Sequence, residues 1–395
     1  MDINTERRNV LVLASCQGFS VTGMVMVTII ISLAGQVLAD NPAYATLPMA
    51  VQMTATMLFA TPASMIMAKV GRRAGFTIGQ FIGILGGLIG AYALLYAKSF
   101  ELLCLSGFLI GAHQGFWQLS RFAIADATEA SYRPRAISYV LAGGILAALI
   151  GPELAKLSVG LFSPVLYAGT YLAYCCMNVL NIIFLQFLAI AKPPENWNFR
   201  GGRPLLEIAR QPAFLIALMS GMVGYGIMVL VMTATPLSMQ SCGFEFNDSA
   251  FVIQWHAFFM FAPGFITGHL IKRFGMTAII MTGAFLALIS MAVSLSGITL
   301  MHFWTGLVLM GVGWNFMFVG GTSLLTETYA PQERAKVQAF NDTMVFGTTA
   351  IASFGSGALL SWLGWNAVNL TVAAPAILLL IAAFVLRMKR HATTS

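Results

Sequence analysis

The chain has 395 residues, 58% of them hydrophobic and only 9% charged, with a formal net charge of +7 and a mean hydropathy of +0.82. That composition excludes an assembly of soluble domains, and the length over which the apolar character persists excludes a single-span anchor. Nucleic acid is not an expected partner, because the basic residues stand in short clusters between apolar runs, where they mark orientation in a lipid bilayer.

Past the polar opening Asp2 to Arg8 the apolar character continues well beyond 20 residues, longer than the roughly 7 to 15 of a cleavable signal's hydrophobic region. A retained first helix is expected. Hydropathy gives twelve segments, about 9–36, 44–68, 76–97, 101–124, 137–161, 165–190, 212–238, 249–271, 276–298, 301–325, 337–362 and 367–387. The connection 191–211 holds Pro193, Pro194, Gly201, Gly202 and Pro204 and reads as a flexible cytoplasmic linker. It divides an N-terminal six-helix bundle, 1–190, from a C-terminal one, 212–395. Cys16, Cys104, Cys175 and Cys176 lie inside apolar runs and only Cys242 in a polar connection, so no disulfide framework is written.

Lysine and arginine set the orientation, since positive side chains near short loops stay cytoplasmic. Arg7 and Arg8, Lys69 to Arg73, Arg133 and Arg135, the linker arginines, Lys272 and Arg273, Arg334 and Lys336, and Arg387 to Arg390 all fall on one side, against Lys98 on the other. Both termini are expected in the cytoplasm. Lys69-Val70-Gly71 and Arg273-Phe274-Gly275 then correspond at a separation of 204 positions, as do Gly151 and Gly355. The halves read as parallel repeats, with a binding site expected between them near the midplane.

At these loops the chain resembles the major facilitator superfamily. The family signature G-x-L-x-D-R-x-G-R-R is matched by Ser64 to Arg73, and its second copy by Gly268 to Gly275. Ala68 and Lys272 replace the acidic position, so the family's charge latch is altered here, and Gly151-Pro152 resembles its Gly-Pro motif in helix 5. The resemblance implies an all-α polytopic protein with twelve transmembrane helices in two pseudo-symmetric six-helix bundles, and no enzymatic activity.

Intramembrane polar residues are costly and therefore functional candidates. Segment 1 has only Gln17 near its middle. Segment 4 carries His113, Trp117 and Arg121 at four-residue spacing, and segment 5 carries Glu153 and Lys156, which at i, i+3 can neutralise each other. Segment 7 carries Met228 and Met232, and segment 8 carries His256 and Met260, each pair at i, i+4 on one helix face. The two pairs fall at similar depths. Four soft or borderline donors without a carboxylate suit monovalent copper as a transported substrate, with no resident cofactor.

Packing explains the same spacing, because methionine fills gaps in apolar helices. Among 23 methionines there are three i, i+4 pairs, against roughly one by chance. The imidazole matched in depth favours the metal. Met-x-x-x-Met followed by His-x-x-x-Met further resembles the CcoA-like copper importers of bacterial inner membranes, which supply copper for cytochrome oxidase assembly. That resemblance implies Met228, Met232, His256 and Met260 as copper ligands, a cytoplasmic copper acceptor as partner, and a family cysteine at Cys242.

The competing reading is import of an organic solute such as riboflavin by the same fold. Trp117, Tyr225, Trp255 and Trp314, with the amides of Gln114, Gln118, Gln254, Asn315 and Asn341, supply stacking faces and hydrogen bonds for a flat heterocycle.

Overall fold

The structure, a computed structural model, describes residues 3–120, 123, 133–190, 202–330 and 333–392. Among those residues the regular structure is helical apart from one isolated bridge, as hydrocarbon demands of a chain that must satisfy its own backbone polar groups. Among the described residues eight helical stretches are long and apolar enough to cross a bilayer, or nine with one bent pair taken as a single span. This differs from the twelve expected segments. One stretch, Lys336–Lys389, runs for 54 residues and takes in two of them. The helix at segment 4 is diluted by Glu101, His113 and Gln114.

The chain forms two compact units, Met1–Trp197 with Phe244–Gln254, and Asn198–Gly243 with Trp255–Ser395. The first contains α1 (Ile3–Leu38), α2 (Leu47–Val70), α3 (Arg72–Tyr92), α4 (Phe100–Trp117), α5 (Arg133–Ser158) and α6 (Ala168–Leu185). Helix α4 packs between α2 and α3, and α1 packs on α5 and α6. The closest approach is made by glycines at every fourth position of α4. A Cβ on Gly107, Gly111 or Gly115 would lie 2.4 Å from the Pro48 oxygen, 2.0 Å from the Gln52 oxygen and 2.9 Å from the Phe59 Cβ. Between membrane helices such small-residue contact replaces the hydrophobic drive that lipid removes. Asn9 ties the start of α1 to the chain after α6, its amide donating to the Ala189 oxygen (2.8 Å) and accepting from the Ala189 nitrogen (2.9 Å).

The second unit contains α7 (Pro212–Ser241), the end of α8 (Phe246–Phe261), α9 (Gly264–Phe274), α10 (Met276–Ser296), α11 (Leu300–Thr326), α12 (Arg334–Leu370) and α13 (Ala373–Ala392). Helix α7 packs on α11 and α12, and α10 on α11 and α13. The outer face of α13 exposes Ile377, Leu378, Ile381, Phe384 and Val385, the surface expected of a helix solvated by acyl chains. At the linker's end the buried Glu333 carboxylate accepts from Arg203 Nη2 (2.8 Å), Nε (3.0 Å) and backbone N (2.6 Å), and from the Ala330 nitrogen (2.9 Å). Those bonds, Arg203's side chain first, hold the carboxyl down at about 2.

Two features recur between the units. Gly71, joining α2 to α3, has φ 90° and ψ 162°, and Gly275, joining α9 to α10, has φ 85° and ψ 157°, a region open essentially only to glycine. Ser106 Oγ donates to the Gly86 oxygen (2.7 Å) between α4 and α3, and Ser290 Oγ donates to the Gly306 oxygen (2.6 Å) between α10 and α11. The same helix contact is made with serine and glycine exchanged. The loop signature itself holds Arg72 buried, with Nη1 3.7 Å from the Met67 sulfur, and Arg73 bonded to Gln186.

Candidate functional site

The second unit holds a buried imidazole and an aromatic cluster, each with a polar atom that meets no partner among the described residues. Helix α8 stops at Phe261 and α9 restarts at Gly264 with a bend of 43°, because Pro263 has no N–H to continue the ladder. The break frees main-chain oxygens, and Asn315 of α11 takes one of them: its Nδ2 donates to the Met260 oxygen (2.7 Å) while its Oδ1 accepts from Thr267 Oγ1 (2.7 Å). Asn315, a candidate for solute binding from sequence, is thus committed to holding a broken helix.

One turn before that break lies His256, fully buried. Its Nδ1 is 2.7 Å from the Leu307 oxygen. A carbonyl only accepts, so the proton sits on Nδ1 and the neutral ring keeps its lone pair on Nε2. That nitrogen is buried and meets no partner among the described residues. The approach of α11 depends on Gly311, where a Cβ would lie 2.8 Å from the His256 oxygen.

Further along α11 stands an aromatic cluster. Tyr225 of α7 meets Trp314 and Phe318 edge-on, each with ring centroids 5.0 Å apart, and Phe346 of α12 at 6.0 Å. Trp314 and Phe318 stack at 5.2 Å and 11°. Trp314 is buried and its Nε1 meets no partner among the described residues. Tyr225, Phe318 and Phe346 are half-buried, so the cluster combines apolar ring faces with one N–H donor that meets no partner among the described residues, and the same unit holds the imidazole acceptor of His256. A few polar groups set among aromatic walls are what orient a flat organic ligand.

Met228 and Met232 are buried on α7 and Met260 is half-buried on α8. In the first unit Trp117 Nε1 donates to Gln17 Oε1 (2.8 Å), Gln114 Oε1 accepts from Thr56 Oγ1 (3.4 Å), and Gln254 Nε2 donates to the Leu149 oxygen (2.9 Å). Asn341 bonds its neighbour Asp342. Trp255 packs on Phe258, Phe259 and Trp304. Lys156 pairs with Glu153 at 2.8 Å, Cys242 is exposed with a free thiol, and Arg121 lies outside the described residues. Phe318 and Phe346 were not singled out from sequence, although Trp314 and Phe318 at i, i+4 carried the signal.

A family model described as the Major Facilitator Superfamily matches residues 13–323. The chain belongs to the major facilitator superfamily. As a member of that superfamily it is a multi-pass membrane transporter and not an enzyme. It is 36% identical over 390 residues, 98% of each chain, to the riboflavin transporter RfnT of Brucella anthropi. It is 27% identical over 382 residues to an uncharacterised transporter of this superfamily, YdeG of Bacillus subtilis, covering 92% of this chain and 88% of the other. Among solved structures the nucleoside transporter NupG is similar with a TM-score of 0.69 at 14% identity over 97% of this chain and 99% of that one. The human organic anion transporter MFSD10 is similar with a TM-score of 0.69 at 14% identity over 96% and 99%. These two establish the fold alone.

The likeness to a riboflavin transporter over essentially the full length overturns copper as the cargo. Copper ion, cytoplasmic copper acceptor and supply of cytochrome oxidase fall with it, and the resemblance is to the superfamily rather than to CcoA-like importers. The physical reason is that methionines at i, i+4 serve apolar packing as readily as metal binding. The spacing of Met228, Met232, His256 and Met260 carries no information that separates the two.

Proposed function

We propose that this chain imports riboflavin, or an organic solute of the same flat heterocyclic class, across the inner membrane of a bacterium by alternating access. Twelve spans are proposed, six in 1–190 and six in 212–395, joined by the linker 191–211, with both termini in the cytoplasm. The observation that carries the reading is the Tyr225–Trp314–Phe318 cluster, with a buried indole N–H that has no partner among the described residues. The similarity to RfnT supports riboflavin as the cargo. Riboflavin is uncharged, so the membrane potential does no direct work on it, and net import runs down its own gradient unless an ion travels with it.

The test is initial-rate uptake of radiolabelled riboflavin by riboflavin-auxotrophic cells expressing the chain. Saturable uptake, insensitive to copper chelation and lowered about tenfold or more by Trp314→Ala at equal membrane levels, is the expected result, since base-type rings stacked on aromatics are held by about 1–3 kcal/mol per ring. Uptake no greater than in cells lacking the chain refutes the proposal.

A further inference from the structure

We propose that His256 reads the imide edge of the heterocycle, its Nε2 accepting a hydrogen bond from a ring N–H while the rest of the ring system lies against Tyr225, Trp314 and Phe318. The inference rests on the flavin-type substrate proposed above and adds the group that selects it.

The argument starts from the Nδ1 contact. The Leu307 oxygen at 2.7 Å fixes the proton on Nδ1, so what the ring offers a ligand is a lone pair and never a donor. A buried acceptor without a partner is rare in a folded protein and calls for an explanation. Here the explanation is a donor that arrives with the substrate. His256 is fully buried, so the substrate meets it in a state of the transport cycle in which Nε2 is uncovered while the Nδ1 bond to Leu307 is kept.

The register on α11 sets the distance. Leu307, Gly311, Trp314 and Phe318 are spaced by four, three and four residues and share one face of the helix. Leu307 and Trp314 are two turns apart, about 10.5 Å along the axis at 1.5 Å per residue. That is of the same order as the long axis of an isoalloxazine, which has an apolar dimethylbenzene ring at one end and a pyrimidinedione with one imide N–H at the other. The aromatic cluster suits the first end and the imidazole acceptor the second. The carbonyls of the pyrimidinedione need donors, and the Nε1 of Trp304, one turn before Leu307 and without a partner among the described residues, is a donor at that end of the same helix.

The test uses purified full-length protein and flavin fluorescence quenching, comparing riboflavin with 3-methylriboflavin, whose imide hydrogen is replaced, and with lumiflavin, which keeps the imide and lacks the ribityl hydroxyls. Wild type is expected to bind the methylated flavin at least tenfold more weakly than riboflavin, because a site built around one hydrogen bond rejects the analogue that cannot make it. His256→Asn retains an amide donor for Leu307 and removes the acceptor at the Nε2 position, and it is expected to bring the riboflavin-to-methylriboflavin ratio near one. Lumiflavin is expected to lose affinity in His256→Asn as riboflavin does. Equal binding of riboflavin and its methyl derivative by wild type overturns the role of His256 and leaves flavin transport standing. Wild type that binds none of the three overturns the flavin reading itself. The wild-type comparison decides the matter even where the variant does not fold, and a ratio unchanged in a folded His256→Asn refutes the assignment.

Discussion

Replacing Gly111 by alanine tests the closest helix approach in the first unit. The added Cβ would stand 2.0 Å from the Gln52 oxygen, 2.8 Å from its carbonyl carbon and 2.9 Å from the Ala55 Cβ. Two of those three atoms are backbone, so no rotamer change relieves the clash, and α2 and α4 must part by about 1 Å to reach the tightest separations real side chains show. Such overpacking costs about 1–3 kcal/mol. The shift also lengthens the bond from Thr56 Oγ1 to the Gly111 oxygen, now 3.1 Å. With a unit of about 200 residues, the expected fall in Tm is roughly 3–10 °C, read by thermal unfolding of the detergent-purified protein. Gly355→Ala is the control, since a Cβ there meets nothing within 4 Å and alanine favours a helix by up to about 1 kcal/mol. A Tm for Gly111→Ala equal to or above that of Gly355→Ala would refute the packing described for α2 and α4.

Asn315→Leu removes the side chain that bridges Met260 and Thr267 across the α8–α9 break; with roughly 1–3 kcal/mol for each buried group left unpaired, the variant is expected to unfold several degrees below wild type, whereas an unchanged Tm would show that water or Gly264 satisfies the break instead. The Glu333 clasp predicts a pH window. Its carboxyl is lowered from 4.5 to about 2 by the bonds from Arg203 and Ala330, so the stability it contributes is present above pH 4.5 and is lost as pH falls toward 2. Wild-type Tm should therefore fall more steeply than that of Glu333→Gln between pH 4.5 and the lowest pH the preparation tolerates, and parallel curves would refute the clasp.

The sequence by itself determined the class of the molecule. Hydropathy and the sparing use of charge require helices in lipid, and the paired loops around Gly71 and Gly275 exposed the internal repeat, because a backbone region that only glycine enters leaves a mark a reader can find. The aromatic positions Tyr225 and Trp314 were also legible as ring faces in apolar segments. Cargo was not. A thioether or an imidazole at i, i+4 has the same spacing whether it packs, binds a metal or meets a solute, and the likeness to a riboflavin transporter, not the pattern, removed copper. Only the tertiary structure decided which polar groups were already spent. Asn315 is consumed by a helix break that Pro263 creates, Trp117 by Gln17, and one nitrogen of His256 by the Leu307 oxygen. Each partner lies at least 48 positions away in the chain, and helical periodicity relates only residues three or four apart. What a polar side chain has left to offer a substrate is therefore set by neighbours that no local pattern encodes.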